Sequence, residues 1–191
     1  MSTMRQPESI SPNAGRLQVA LGGVFTALVT PFRDGAVDFD TLERLIERQI
    51  AAGVNGLVPV GTTGEATTLT ADEAARIIRC CVERAAGRAF VLAGAGSNAT
   101  DKAVRAAEAA AAAGADGLMV VTPYYNRPGE EGLRRHYARI AGAVDLPIML
   151  YSVPARTGVE ISPALAAALA RDHANIVGLK EGGGRCDRIS S

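Results

Sequence analysis

The chain has 191 residues, 48% of them hydrophobic and 21% charged, enough for one ordinary globular domain with a sizeable core. Twenty Lys and Arg balance twenty Asp and Glu; with no basic run, neither a nucleic-acid nor a membrane-surface partner is expected. No apolar stretch reaches the roughly 18–20 residues of a membrane span, and the polar segment Met1 to Gln18 lacks the apolar core of a signal peptide.

Residues 1–21 therefore read as an N-terminal extension, expected to be flexible, and residues 22–191 as the folded domain. Within it, short apolar runs alternate with helical patterns. The first run is Val24 to Phe32, followed by a helix over Asp38 to Ala52 with Asp38 or Asp40 as N-cap and Gly53 closing it. The second run, Gly56 to Val60, leads to a helix opened at Thr70, where Thr70 and Glu73 have capping-box spacing. The third run, Ala89 to Ala95, precedes a helix from Asn98 or Thr100 to Gly114. Gly117 to Thr122 forms the fourth run, with a helix over Glu130 to Ala143. Pro147 to Val153 is the fifth, with a helix from Ser162-Pro163 to Arg171, Pro suiting the first helical position. Ile176 to Leu179 is the sixth.

Six strands alternating with five helices predict parallel βα units. Continuous apolar strands suit a sheet covered on both faces. A doubly wound open sheet and a (β/α)8 barrel both satisfy this pattern. No strand is followed by G-x-G-x-x-G; Gly94-Ala-Gly96 comes nearest and lacks the third glycine. Of the three cysteines, Cys80 and Cys81 are adjacent and Cys186 stands apart. None has zinc-ligand spacing, and reduced thiols in a cytoplasmic protein are expected. With only two His, no metal site is expected.

The chemistry-bearing residues gather at the C-terminal ends of the strands, which share one face of a parallel barrel. Lys180 ends the sixth run. A lysine there is partly desolvated, which lowers its pKa and supplies the neutral amine that attacks a ketone. A lysine snorkelling to solvent is the plain alternative. Tyr151 ends the fifth run and is placed to pass protons. Thr62 and Thr63 lie in a glycine-flanked turn suited to a carboxylate. Arg156 is a candidate for bidentate carboxylate binding.

The segments GTTGE at 61–65, VTPYYNRP at 121–128, YSVPARTG at 151–158 and GLKE at 178–181 resemble, in order and spacing, the motifs of the dihydrodipicolinate synthase family. That family belongs to the wider group of class I pyruvate aldolases that includes N-acetylneuraminate lyase. The resemblance runs from about Gly22 to Asp187. It implies a (β/α)8 TIM barrel, a homotetramer, and no metal or dissociable cofactor, the pyruvate imine being carried on lysine. It implies Lys180 as the Schiff-base lysine and Tyr151 as proton donor and acceptor. Thr63 would link Tyr151 to Tyr125 in a relay, with Tyr125 reaching across a subunit interface; Thr62 would help hold pyruvate, and Arg156 would meet the second substrate's carboxylate. The implied reaction condenses pyruvate with L-aspartate 4-semialdehyde, at the head of diaminopimelate and lysine biosynthesis.

Ser152 stands where the family pattern has Asn, and Ala155 where it has Gly. A barrel of this kind takes about 250 residues, so strands seven and eight and a C-terminal helical region are expected to be absent from these 191 residues. Two further readings accompany the synthase: another pyruvate-dependent aldolase acting on sugar acids, and a catalytically inactive fragment. The sugar-acid lyases generally lack the arginine found at position 156.

Overall fold

The computed structural model describes residues 21–184 and 186–189; the N-terminal extension expected over 1–21 lies, except for Leu21, outside them. Six parallel strands form one sheet: β1 (Phe25–Ala27), β4 (Gly56–Val58), β5 (Phe90–Gly94), β6 (Gly117–Val121), β7 (Ile148–Ser152) and β8 (Ile176–Glu181). They pair in the order β1-β4-β5-β6-β7-β8, each joined to the next through a helix, as parallel neighbours require. The result is a partial (β/α) barrel of six units, with β1 and β8 at the two edges of the sheet among the described residues.

The helices are α1 (Phe39–Ala51), α2 (Ala71–Ala85), α3 (Thr100–Ala112), α4 (Glu130–Ala141), the short α5 (Pro154–Thr157) and α6 (Pro163–Asp172); a 3-10 turn spans Cys186–Ile189. Their starts follow from local chemistry. Asp38 Oδ1 accepts from the Thr41 N–H at 3.0 Å, and Ser162 Oγ from the Leu165 N–H at 3.1 Å. At Thr70 the capping box is complete: the Glu73 N–H donates to Thr70 Oγ1 at 3.2 Å and the Thr70 N–H to Glu73 Oε2 at 2.8 Å. Each such cap is worth about 1 kcal/mol. Gly53 and Gly114 stop α1 and α3 with φ of +79° and +88°, a conformation glycine adopts without penalty.

Side chains of each strand alternate between two apolar layers. On one side of the sheet, Leu118 and Val120 of β6 pack with Leu42, Ile46, Ile77 and Leu165 from the helices. On the other, Met119 of β6 joins Val58, Leu92, Tyr151 and Val153 in the barrel interior. Leu42 and Ile46 are fully buried one helical turn apart, and each contributes about 1.5–3 kcal/mol by burial. Cys80 and Cys81 are buried, free thiols within α2, and burial pushes both thiols up from their ordinary values. The alanine-rich α3 buries Ala103, Ala107 and Ala110 at helical spacing. No helix among the described residues is long and apolar enough to cross a membrane.

The first apolar run departs from expectation. Only Phe25–Ala27 are strand; Phe32–Arg33 (β2) and Ala36–Val37 (β3) form a separate antiparallel hairpin. Its two turn residues, Asp34 and Gly35, have φ of +52° and +79°, the left-handed pair of a type I′ turn, for which Asp-Gly is a preferred dipeptide. The second run also ends early: β4 stops at Val58, and Val60 has φ +56°.

Candidate active site

Strand register brings the two central side chains together. Tyr151 on β7 faces Lys180 on β8 as a paired neighbour. Lys180 Nζ lies 4.1 Å from the centroid of the Tyr151 ring and 3.8 Å from Met119 Sδ. No carboxylate pairs with it among the described residues. Apolar and aromatic surroundings solvate an ammonium poorly, and desolvation pushes Lys180 below the ordinary lysine value. Tyr151 itself is 7% exposed.

The turn after β4 is built from strained backbone. Val60, a β-branched residue, is left-handed at φ +56°, and Glu65 follows at +59°; such residues persist only where the surroundings over-determine them. The Val60 carbonyl presses against Gly94, where a Cβ would lie 1.9 Å from its oxygen. The turn closes on itself: the N–H groups of Gly64 and Ala66 donate to the Gly61 carbonyl and that of Glu65 to the Thr62 carbonyl. The buried Thr30 hydroxyl donates to the Gly64 carbonyl at 2.7 Å. The N–H groups of Thr62 and Thr63 have no acceptor among the described residues, which leaves adjacent donors for an anion.

The turn after β7 carries Arg156. Val153 and Pro154 open α5, and Gly158 ends it with φ +70°, its N–H donating to the Pro154 carbonyl at 2.8 Å. Thr157 anchors this turn from beneath. Its hydroxyl accepts from the buried Thr122 hydroxyl at 3.0 Å and lies 2.9 Å from the Val159 carbonyl, to which it donates. Arg156 is thus presented at the surface by a turn whose underside is buried and hydrogen-bonded.

A cavity of about 350 Å³ opens on this face, lined by Thr62, Met119, Tyr124, Tyr151, Arg156 and Thr157 among others. Of the residues singled out from sequence, Thr62, Tyr151 and Arg156 therefore share one cavity; Lys180 is not among its lining residues but touches two that are, Met119 and Tyr151. Thr63 is exposed, and no hydrogen bond joins it to Tyr151 or Tyr125 among the described residues. Tyr125 is 91% exposed at φ +72° and lines a second, outer cavity with Arg156. Met119 and Thr157 were not anticipated. Thr157 was visible within the fifth strand-end motif, whereas nothing local marked Met119.

Residues 20–191 match the model of the dihydrodipicolinate synthetase family. The chain belongs to that family. A 4-hydroxy-tetrahydrodipicolinate synthase from Hyphomonas neptunium is 54% identical over 168 residues, covering 88% of this chain and 57% of that protein. The dihydrodipicolinate synthase structure from Aquifex aeolicus is similar with a TM-score of 0.86 and 46% identity, over 88% of this chain and 57% of the other. A structure described as the first monomeric dihydrodipicolinate synthase variant is similar with a TM-score of 0.86 and 44% identity, over 90% of this chain and 57% of the other. The chain spans under three-fifths of the length of these family members, and the aligned part is the six-stranded (β/α) portion that carries the cavity.

Proposed function

We propose that this protein is a lyase of the class I aldolase type, a 4-hydroxy-tetrahydrodipicolinate synthase that joins pyruvate to L-aspartate 4-semialdehyde. The observation that carries the reading is Lys180: a half-buried amine at a strand end, held down in pKa by desolvation, unpaired with any carboxylate among the described residues and packed on Tyr151. A lysine whose ammonium is poorly solvated has a larger neutral fraction at a given pH, and the neutral amine is the nucleophile.

The roles follow the chemistry of imine formation. Lys180 Nζ adds to the ketone carbon of pyruvate, and loss of water from the carbinolamine gives the imine. Tyr151, whose ring lies 4.1 Å from the amine, donates and recovers the protons of these steps. The open N–H groups of Thr62 and Thr63 suit the pyruvate carboxylate. A proton lost from the imine's methyl group yields the enamine, whose carbon attacks the aldehyde. Arg156, at the mouth, takes the aldehyde substrate's carboxylate as a planar fork. The lysine carries the intermediate itself, so the scheme uses no metal or dissociable cofactor.

Thr63 and Tyr125 extend the proton path outward. Tyr125 is almost fully exposed on strained backbone, a posture that suits a residue reaching into a second subunit's site in an oligomer such as a tetramer. The proposed setting is the cytoplasm, in diaminopimelate and lysine biosynthesis.

Borohydride reduction in the presence of pyruvate tests the assignment. A reduced pyruvyl group should appear on Lys180 by peptide mass spectrometry and vanish in Lys180→Ala. Labelling elsewhere, or labelling that survives the substitution, refutes it. Pyruvate-dependent turnover across a panel of aldehydes then separates the synthase, which should prefer aspartate semialdehyde, from an aldolase of sugar acids. Activity is expected of a protein that contains the whole barrel.

A further inference from the structure

The 3-10 turn after β8 folds back on the two strands that carry the site. Arg188 on this turn and Glu181 at the end of β8 have side chains only 10% and 8% exposed, and Arg188 Nε donates to Glu181 Oε2 at 2.9 Å. The rest of the guanidinium is aimed at the segment that enters α6. Its Nη1 lies 3.1 Å from Glu160 Oε2, and its Nη2 donates to the Ile161 carbonyl at 2.6 Å. Each of the three nitrogens therefore has an acceptor.

These contacts close into a ring. The Ile161 N–H donates to the buried Ser152 Oγ at 3.2 Å, the Ser152 carbonyl accepts from the Gly182 N–H at 2.7 Å, and the Gly183 N–H donates to Glu181 Oε1 at 2.6 Å. Ser152 and Glu181 are register partners, directly after the Tyr151 and Lys180 pair. Gly182 packs so closely that a Cβ would fall 2.9 Å from Tyr151 Cε2. Successive strand residues point to opposite faces. Ile161 lies in the helix-side layer and Tyr151 in the barrel interior, so the ring grips the ends of β7 and β8 from the side opposite the amine.

We propose that Arg188 is a positioning residue for the Lys180 amine, a role that rests on the reading of Lys180 as the nucleophile. With the end of β8 fixed, the amine stays 4.1 Å from the centre of the Tyr151 ring and 3.8 Å from Met119 Sδ, surroundings that solvate an ammonium poorly. A buried carboxylate depends on its partners to stay buried. Loss of the guanidinium lets Glu181 turn to water, moves the end of β8 with it, and lets water reach the amine. Ser152, which stands where the family pattern has Asn, links the two halves of the ring. Among the described residues, Glu65, Tyr124, Tyr151 and Arg156 are the titratable and charged side chains lining the adjoining cavity, and the variants below change none of them.

Acetylation of the 191-residue protein with acetic anhydride, followed across pH by peptide mass spectrometry, tests this. The readout needs no pyruvate and so stands apart from the imine assignment. In Arg188→Gln the pH of half-maximal Lys180 acetylation should rise, as the ammonium gains water, and borohydride trapping of pyruvate on Lys180 should slow about tenfold or more. Arg188→Lys keeps the charge, but one ammonium cannot serve Glu181, Glu160 and the Ile161 carbonyl together, so the midpoint should rise by less. Ser152→Ala changes no charge, opens the ring at the Ile161 N–H and should shift the midpoint the same way. These two variants carry the test if Arg188→Gln does not fold. Ile77→Val lowers stability from within α2 and should leave the midpoint unmoved. A native midpoint in any of the three ring variants, or an equal rise in Ile77→Val, overturns the proposal.

Discussion

Lowering the pH from 7 to 4 should cost this fold stability through one buried side chain, His136. It is 3% exposed between α3 and α4. Its Nδ1 lies 3.0 Å from the Thr100 hydroxyl, and its Nε2 is buried without a partner. Burial pushes its pKa from the ordinary 6.5 down to about 4, because an imidazolium there would be a charge stripped of water with one N–H unsatisfied. The folded value lies below the unfolded one, so the unfolded chain takes up the proton first as pH falls. Above about 6.5 neither state is protonated at this site and its contribution does not change with pH. Between 6.5 and 4 only the unfolded chain is protonated, and stability declines by about 1.36 kcal/mol per pH unit. Below about 4 the full loss is reached, about 3 kcal/mol on that interval, a large part of the 5–15 kcal/mol typical of a domain. The assay is urea denaturation at several pH values for the native protein and His136→Leu. The variant gives up the Thr100 hydrogen bond at every pH but should lose about 3 kcal/mol less than the native protein between pH 7 and 4. Carboxylates held low by their partners, such as Asp38 and Glu73, also lose stability in acid, but equally in both proteins. Parallel stability curves would refute the role assigned to His136.

Four substitutions probe the rest of the structure. Tyr151→Phe, in a protein containing the whole barrel, should retain the fold and lose about 10²–10⁴-fold in kcat; near-normal turnover would reduce Tyr151 to a packing role. Thr157→Val leaves the buried Thr122 hydroxyl without its acceptor and should cost about 1–3 kcal/mol by chemical denaturation, with a higher KM for the aldehyde as the Arg156 turn loosens. Gly94→Ala has no room beside the Val60 carbonyl and should lower the thermal midpoint by several degrees, whereas Gly35→Ala, which meets no neighbouring atom, should show only the smaller penalty of its left-handed backbone.

The elements most legible in the sequence were those whose ends are decided locally. The Thr70–Glu73 box and the Ser162-Pro163 start needed only side chains three residues apart, and both formed as expected. The strand ends also carried their own message, since Tyr151 and Lys180 each close an apolar run and registration between β7 and β8 makes them neighbours. The first run misled because an unbroken apolar stretch does not reveal where a chain leaves a sheet. The Asp34-Gly35 dipeptide did mark the hairpin. Other features lay beyond local reading. Met119 meets Lys180 across β7, 61 residues away, and His136 finds Thr100 across two helices. Such contacts depend on register and helix rotation, which periodicity leaves open. The short α5 was announced by Pro154 at its start and Gly158 after its end, a signal easily lost in a motif read for chemistry alone.

Strand order carries a consequence for how the chain is made. Every strand of the sheet pairs with the one synthesised just before it in the series: Phe25 faces Gly56, Leu118 faces Ile148, and Ile148 faces Ile176. These separations are all about thirty residues, so each pairing joins one βα unit to the next in the chain. As the chain leaves the ribosome, each new βα unit can dock on a finished edge. The amine of Lys180 arrives on the last of these strands, after the turns bearing Thr62, Tyr124 and Arg156 have been laid down. The growing polypeptide therefore lays down the walls of the cavity before the strand that carries the lysine proposed as nucleophile.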